Sequence, residues 1–329
     1  MHLKSLKIFC DVVSRRSFSK AADDNNISQS GVSQVINQLE ARVAVKLIDR
    51  SKRPFGLTPE GEMYYDGCRK LVDRYFALEE EVRSLHGEVA GRVRVASIYS
   101  IGLTHMSRYI QEYMGQYPKA NVRLEYLHPH RVYEAVENDQ ADLGLVSYPK
   151  ASRTLKAIPW RDEPMHLICA PGNKFANQTE VDLGELNGVT MIGFDSDLTI
   201  RREIDRVLAL HQSEVKVTME FDNIETIKRA IEIDAGVAIL PEPTVAREVA
   251  AGSLVAIPIQ GEELVRPIGI LVRRGKELGV TIRRFIELLR QNSEVVLSSP
   301  AGSTHAPGNP KGSPGPLNGT VAEYAIAGN

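Results

Sequence analysis

Ser30-Gly31-Val32-Ser33-Gln34-Val35-Ile36-Asn37-Gln38-Leu39-Glu40 is the stretch that decides the fold. Val32, Val35, Ile36, Leu39 and Val43 form one apolar stripe at helical spacing, while Gln29, Ser30, Ser33, Gln34, Asn37 and Gln38 fall largely outside it. Short amides and hydroxyls on one helix face can read base edges in a major groove about 12 Å wide, and a helix is the element that fits there. Upstream, Leu3, Leu6, Phe9, Cys10 and Val13 recur at helical spacing, and Ser17 stands where it would cap a second helix through Phe18, Ala21 and Ala22. Downstream, Lys46-Leu47-Ile48-Asp49-Arg50, a basic turn at Ser51-Lys52-Arg53-Pro54 and Phe55-Gly56-Leu57 read as strand, turn and return strand. The pattern is a helix-turn-helix with a wing; the alternative is a polar, solvated helix in a structural bundle.

Thr58-Pro59-Glu60 then combines an N-cap, a proline at the first helical position and a first-turn acid. Tyr64, Cys68, Leu71, Tyr75, Leu78, Val82, Leu85 and Val89 follow at alternating spacings of four and three, a heptad seam. Glu79, Glu80, Glu81, Arg69 and Arg83 lie between them. So narrow a stripe on a charged helix calls for a partner helix, most simply a second copy; packing on its own domain would widen it.

Charge supports this division. The first sixty residues carry ten basic against six acidic side chains, a surplus of +4 that leaves −6 for the rest of a 329-residue chain of net charge −2. A basic module joined to an acidic one is the expectation, and uniform basicity is excluded as the route to nucleic acid. The hydrophobic fraction of 43% is that of a globular protein, which excludes a disordered or fibrous chain. Cys10, Cys68 and Cys169 are odd in number and unpaired in spacing, so neither a disulfide framework nor a zinc site is expected. Charges interrupt the first thirty residues, and no later run approaches the roughly 18 apolar residues of a membrane span. A soluble, cytoplasmic protein without membrane partners is expected.

From Gly91 strands and helices alternate. Strands are expected at 93–98, 122–127, 143–148, 165–170, 190–194, 215–221, 237–240, 254–259 and 268–272, with helices at 103–117, 129–138, 201–211, 224–234, 243–251 and 278–291. This predicts α/β sheets with crossover helices, and the length favours two lobes with a cleft between them. After Ser298 the chain is rich in Pro, Gly and Ser and reads as a disordered tail.

The composite of Phe18-Ser19-Lys20-Ala21-Ala22, the run from Ser30 to Glu40, Lys46 to Arg50 and Leu57-Thr58-Pro59-Glu60-Gly61 closely resembles the LysR-type transcriptional regulators. Two places depart from the family's pattern: the turn before the wing reads Arg42-Val43-Ala44-Val45, where a glycine usually follows leucine, and Ile48 replaces a common Phe. The resemblance covers everything except the tail. It implies an N-terminal winged helix-turn-helix (1–58), a long dimerising linker helix (59–90) and a two-lobed α/β effector domain (91–297) resembling type 2 periplasmic binding proteins, with the tail at 298–329. Ser28, Gln29, Ser30, Ser33, Gln34, Asn37 and Gln38 would contact bases, and Arg50, Lys52 and Arg53 phosphates. The seam from Tyr64 through Cys68, Leu71, Tyr75, Leu78, Val82 and Leu85 would join two subunits.

Ser97-Ile98-Tyr99-Ser100-Ile101-Gly102 leads from a strand into a helix, a junction whose free amides suit an anion. In the family this loop commonly touches the effector, so Ser100, Ile101 and Gly102 are candidates. In the second lobe Thr199 is the matching hydroxyl, with Asp195 and Asp197 opposing an anion. His128-Pro129-His130 and Tyr148-Pro149 end strands at the same cleft edge. His128 and His130 could chelate a metal, but no Cys or convergent carboxylate accompanies them, so surface or cap histidines are favoured, with ligand contact second, and no metal or cofactor is expected. No phosphate loop, Ser-His-Asp order or nucleophile elbow is visible, and an enzyme is not expected. The expectation is a dimeric or tetrameric DNA-binding transcriptional regulator that responds to a small, anionic metabolite. The alternative, a small-molecule binding protein without direct DNA regulation, leaves the winged helix unexplained.

Overall fold

The computed structural model describes residues 2–51, 54–86, 88–261 and 264–294. Lys52 and Arg53, the expected disordered tail and the last three residues assigned to the effector domain lie outside the described residues. Three helices open the chain: α1 (Leu3–Arg15), α2 (Phe18–Asn25) and α3 (Gln29–Val43). Ser17 caps α2 by accepting from the Lys20 amide at 3.2 Å, and Ser28 caps α3 through the Gly31 amide at 3.1 Å. A two-stranded wing, β1 (Ile48–Asp49) paired antiparallel with β2 (Gly56–Leu57), precedes α4 (Pro59–Ser84). Thr58 caps α4 through the Gly61 amide at 2.9 Å and donates to the Lys46 carbonyl at 2.7 Å, fixing the long helix to the wing. Phe9, Val12, Val32, Ile36 and Leu47 form this domain's buried core.

The effector domain runs through β3 (Gly91–Ser97), α5 (Tyr99–Ile101), a π-helical turn at Gly102–Met106, α6 (Ser107–Gln116), β4 (Ala120–Tyr126), α7 (Pro129–Glu137), β5 (Leu143–Ser147) and β6 (Leu155–Cys169). It continues with β7 (Thr190–Phe194), α8 (Thr199–Leu210), β8 (Lys216–Phe221), α9 (Ile224–Glu232), β9 (Ala238–Pro241), α10 (Ala246–Ala251), β10 (Val255–Pro258), β11 (Val265–Arg273) and α11 (Val280–Glu294). The main sheet has the order β10-β6-β11-β5-β3-β4, with β9 also on β6; β7 and β8 form a second, parallel pair. Two separate apolar cores define the lobes, one around Val95, Leu145, Ile270 and Phe285, the other around Leu167, Ile192, Ile204 and Ile239.

The main sheet is mixed, because β11 runs antiparallel to both β5 and β6. Two expectations need correction. The strand expected at 165–170 begins ten residues earlier, at Leu155: Pro159, Arg161, Asp162, Glu163 and Pro164 broke its apolar pattern, yet it carries the chain from one lobe to the other. Pro159 is tolerated there because it sits opposite Gly269, beside a register shift in β11. Finally, α4 stops at Ser84, so Val89 leaves the heptad series. Leu85 and His86 close the helix with bonds back to the Val82 and Arg83 carbonyls, three residues earlier, which tighten its last turn.

Candidate DNA interface and effector cleft

On α3 the apolar stripe turns inward and leaves Ser28, Gln29, Ser30, Gln34, Asn37 and Gln38 exposed, with Ser33 half-buried. Three of these side chains already have local partners. Ser28 is the helix cap and meets the Ser30 hydroxyl at 2.9 Å, while Asn37 Oδ1 accepts from Arg50 Nη2 at 3.2 Å. Arg50 also lies over the Phe18 ring, 5.4 Å from its centroid. The wing is thereby held against the exposed face of α3. Glu40, on the helix's other side, is buried. Its Oε1 accepts from the Leu47 and Ile48 amides at 2.9 and 3.2 Å, and its Oε2 from Lys46 Nζ at 2.8 Å. Burial alone would push this carboxyl up, but Lys46 and the two amides outweigh it and hold the group ionised.

The heptad row divides in two. Leu71, Tyr75, Leu78, Val82 and Leu85 are exposed, from 45% at Tyr75 to 82% at Leu85. Cys68, by contrast, is only 3% exposed and belongs to its own domain's core, and Tyr64 packs 5.6 Å from the Phe9 ring. The reason is α1, which covers the first two turns of the series. An apolar groove of about 500 Å³, lined by Leu6, Val43, Val45, Met63, Tyr64 and Leu71, prolongs the exposed row toward the DNA-binding domain.

Between the lobes lies a cleft of about 500 Å³, inside the range of small-ligand sites. Of the expected residues it gathers Ser100, His128, Tyr148 and Thr199. It does not gather Ile101 or Gly102. Successive helical residues are about 100° apart, so a helix that opens with Tyr99 and Ser100 toward the cleft turns the next two inward. Ile101 is fully buried in the first lobe's core, and Gly102 backs onto the Tyr126 ring so closely that a Cβ would collide with it. Tyr148 adopts φ +50°, and its hydroxyl is buried without a hydrogen-bond partner. Burial pushes that hydroxyl up to about 12, leaving it a neutral donor. Thr199 Oγ1 accepts from Arg202 at 2.9 Å. His128 and His130 meet through their Nδ1 atoms at 2.7 Å, and His128 Nε2 lies 4.0 Å from Asp197 of the other lobe. Among the described residues no three potential metal ligands converge.

Arg266 is the cleft residue that the sequence reading missed. Only 1% exposed, it sends Nη1 to the Ser100 hydroxyl at 2.9 Å and is paired with Glu163 through Nε at 2.9 Å and through Nη2. Glu163 is its cross-strand partner on β6, and His105 Nε2 lies 2.5 Å from the other carboxylate oxygen. Burial would raise the Glu163 pKa, yet Arg266 and His105 hold it at about 2. A signal was present: Arg266 shares the inward alternation of Ile268 and was lost because the strand was begun three residues late. Lys150 and Asn223 also line the cleft.

Residues 86–294 match the family described as LysR substrate binding domain, and residues 3–62 match bacterial regulatory helix-turn-helix protein, lysR family. The chain belongs to the LysR family. This LysR-type chain is a transcriptional regulator with a DNA-binding helix-turn-helix and an effector-binding domain. A probable RuBisCO transcriptional regulator of Guillardia theta is 30% identical over 278 residues, covering 82% of this regulator and 89% of that protein. Full-length OxyR from Pseudomonas aeruginosa shares the fold at a TM-score of 0.71, with 22% identity over 90% of this chain and 95% of that one. The CcmR regulatory domain of Synechocystis PCC6803, solved in complex with 2-PG, is 25% identical, covers 64% of this chain and all of that one, and has a TM-score of 0.57. Regulators of this family bind DNA and small-molecule effectors and form oligomers. Among the described residues no helix is long and apolar enough to cross a membrane.

Proposed function

We propose that this regulator, acting in the cytoplasm as a homo-oligomer and not as an enzyme, reads double-stranded DNA with α3 and takes a small anionic effector in the cleft. Ser28, Gln29, Ser30, Ser33, Gln34, Asn37 and Gln38 supply the amides and hydroxyls that face the bases, with Arg50, Lys52 and Arg53 on phosphates. Two copies join along Leu71, Tyr75, Leu78, Val82 and Leu85.

The observation that carries the effector reading is the buried Arg266 guanidinium bonded to Ser100 at the cleft wall. Its charge is compensated by Glu163, but its Ser100-facing edge and the unpartnered Tyr148 hydroxyl are donors available to an anion. The CcmR domain's complex with 2-PG, in a domain of the same fold, supports a small metabolite there. Asp197 and Asp222 at the same cleft favour a ligand that also carries a donor, such as a hydroxy or amino acid.

Calorimetry with a panel of metabolite anions tests this on wild type, Ser100→Ala, Thr199→Val and Arg266→Lys. Loss of the Ser100 hydroxyl weakens binding by about 1 kcal/mol, roughly fivefold. Arg266→Lys keeps the charge and loses the planar fork, so it weakens binding further. Equal binding by all four proteins places the site elsewhere, and binding of only cationic or apolar ligands overturns the anion.

A further inference from the structure

The face of α4 opposite Leu71 and Leu78 rests on the effector domain through charge. Asp139, in the turn after α7 at φ +54°, lies between three cations from separate segments: Arg69 of α4 at 2.5 Å, Arg273 at the end of β11 at 2.9 Å, and Lys276 in the following turn at 3.2 Å. Arg273 also reaches Asp73 of α4 at 2.6 Å. Nearby, Gln140 donates to the Ser14 carbonyl of α1 at 3.1 Å, a direct tie from the effector domain to the DNA-binding domain. Farther along α4, Glu80 accepts from the Thr281 amide in the first turn of α11 at 3.2 Å. A polar cavity of about 320 Å³ separates α1, α4 and the first lobe beside this node, giving water and ions access.

We propose that the ion-pair node around Asp139 is a releasable latch that fixes the linker helix and DNA-binding domain to the effector domain. Ion pairs of this kind contribute little net stability compared with apolar packing, but losing one partner leaves the others uncompensated. Among the described residues no apolar core joins α4 to the effector domain, so the docked state is defined by charge and open to release. Its position gives it a use. Arg273 and Arg266 are seven residues apart on β11, about 23 Å along one strand at 3.3 Å per residue. Asp142, which pairs Lys276 at 3.0 Å, and Tyr148 likewise flank β5. The two strands that line the cleft at one end carry the latch at the other.

The test is the spin-label distance between Lys20→Cys and Lys156→Cys in the full chain, diluted into unlabelled protein so that only intrachain pairs count. The three native cysteines are buried, and burial pushes their thiols up, so the label reports the introduced sites. Wild type gives one narrow distance. Asp139→Asn removes the central charge with a residue that tolerates positive φ, and Arg69→Met removes the linker's cation from the other side. Each shifts the population to a longer, broader distribution. Should either variant fail to fold, Lys276→Met, which removes a different cation from the same carboxylate, reads the same release. A narrow distance unchanged in the folded variants overturns the latch.

Discussion

Single residues show how closely the DNA-binding domain is specified. Ala44 ends α3 at φ +57°, the left-handed conformation in which glycine is free and an alanine Cβ is strained. Ala44→Gly should therefore stabilise the domain by about 0.5–1 kcal/mol after the extra unfolded-state entropy of glycine is subtracted. Thermal unfolding measures it, and a destabilised variant would show that the turn is not strained. Glu40 makes the opposite prediction. Glu40→Ala leaves the buried Leu47 and Ile48 amides without acceptors and should cost about 2–4 kcal/mol. Gln34 is exposed on the face of α3 that leaves the core, so Gln34→Ala should leave stability unchanged while costing about 1–3 kcal/mol on the cognate operator and relaxing its sequence preference. Footprinting with unchanged operator preference would remove its base-reading role. Spacing alone made Gln34 legible, but the tether of Asn37 to Arg50 depends on a contact thirteen residues away in sequence, which periodicity does not encode.

Elements were legible where their pattern was strong. The winged helix was marked by caps and an apolar stripe, local signals that act within a few residues. In α4 the heptad was legible but its allegiance was not, because Cys68 is claimed by α1 while Leu71 and Leu78 are left exposed. Leu71→Asp with Leu78→Asp should convert a dimer to monomer at micromolar concentration, since pairing would bury unpaired carboxylates. Light scattering decides it, with wild type as the reference; a variant as dimeric as wild type would show that the row is not the interface. The first half of β6 escaped because its prolines and charges resemble a loop when the opposing β11 is not considered.

At the scale of the whole molecule, buried ion pairs make the effector domain acid-sensitive. Burial opposes ionisation of Asp142, but Lys276 and Arg94 hold its carboxyl at about 2, below the roughly 3.9 of an unfolded chain. The unfolded state thus takes up the proton first. The stabilisation, about 2–3 kcal/mol, is complete above about pH 5, declines as pH falls through the unfolded value and is gone below about 2. Asp142→Asn should be less stable than wild type at pH 7, with the gap closing as pH falls toward 2. The single tryptophan, Trp160, lies in the first lobe's core and reports this by fluorescence during denaturation; a gap independent of pH would disprove it. The sequence by itself determined what depends on near neighbours: the helix caps, the polar-faced helix α3, the heptad, the alternation of strands and helices, and the basic-to-acidic division. Only the tertiary structure decided that Arg266, Ser100 and Tyr148 share one wall, that Ile101 and Gly102 do not, and that Asp139 is ringed by cations from α4 and β11. Those juxtapositions depend on where strands far apart in sequence pair and in which register, because a shift of one residue turns every side chain to the opposite face.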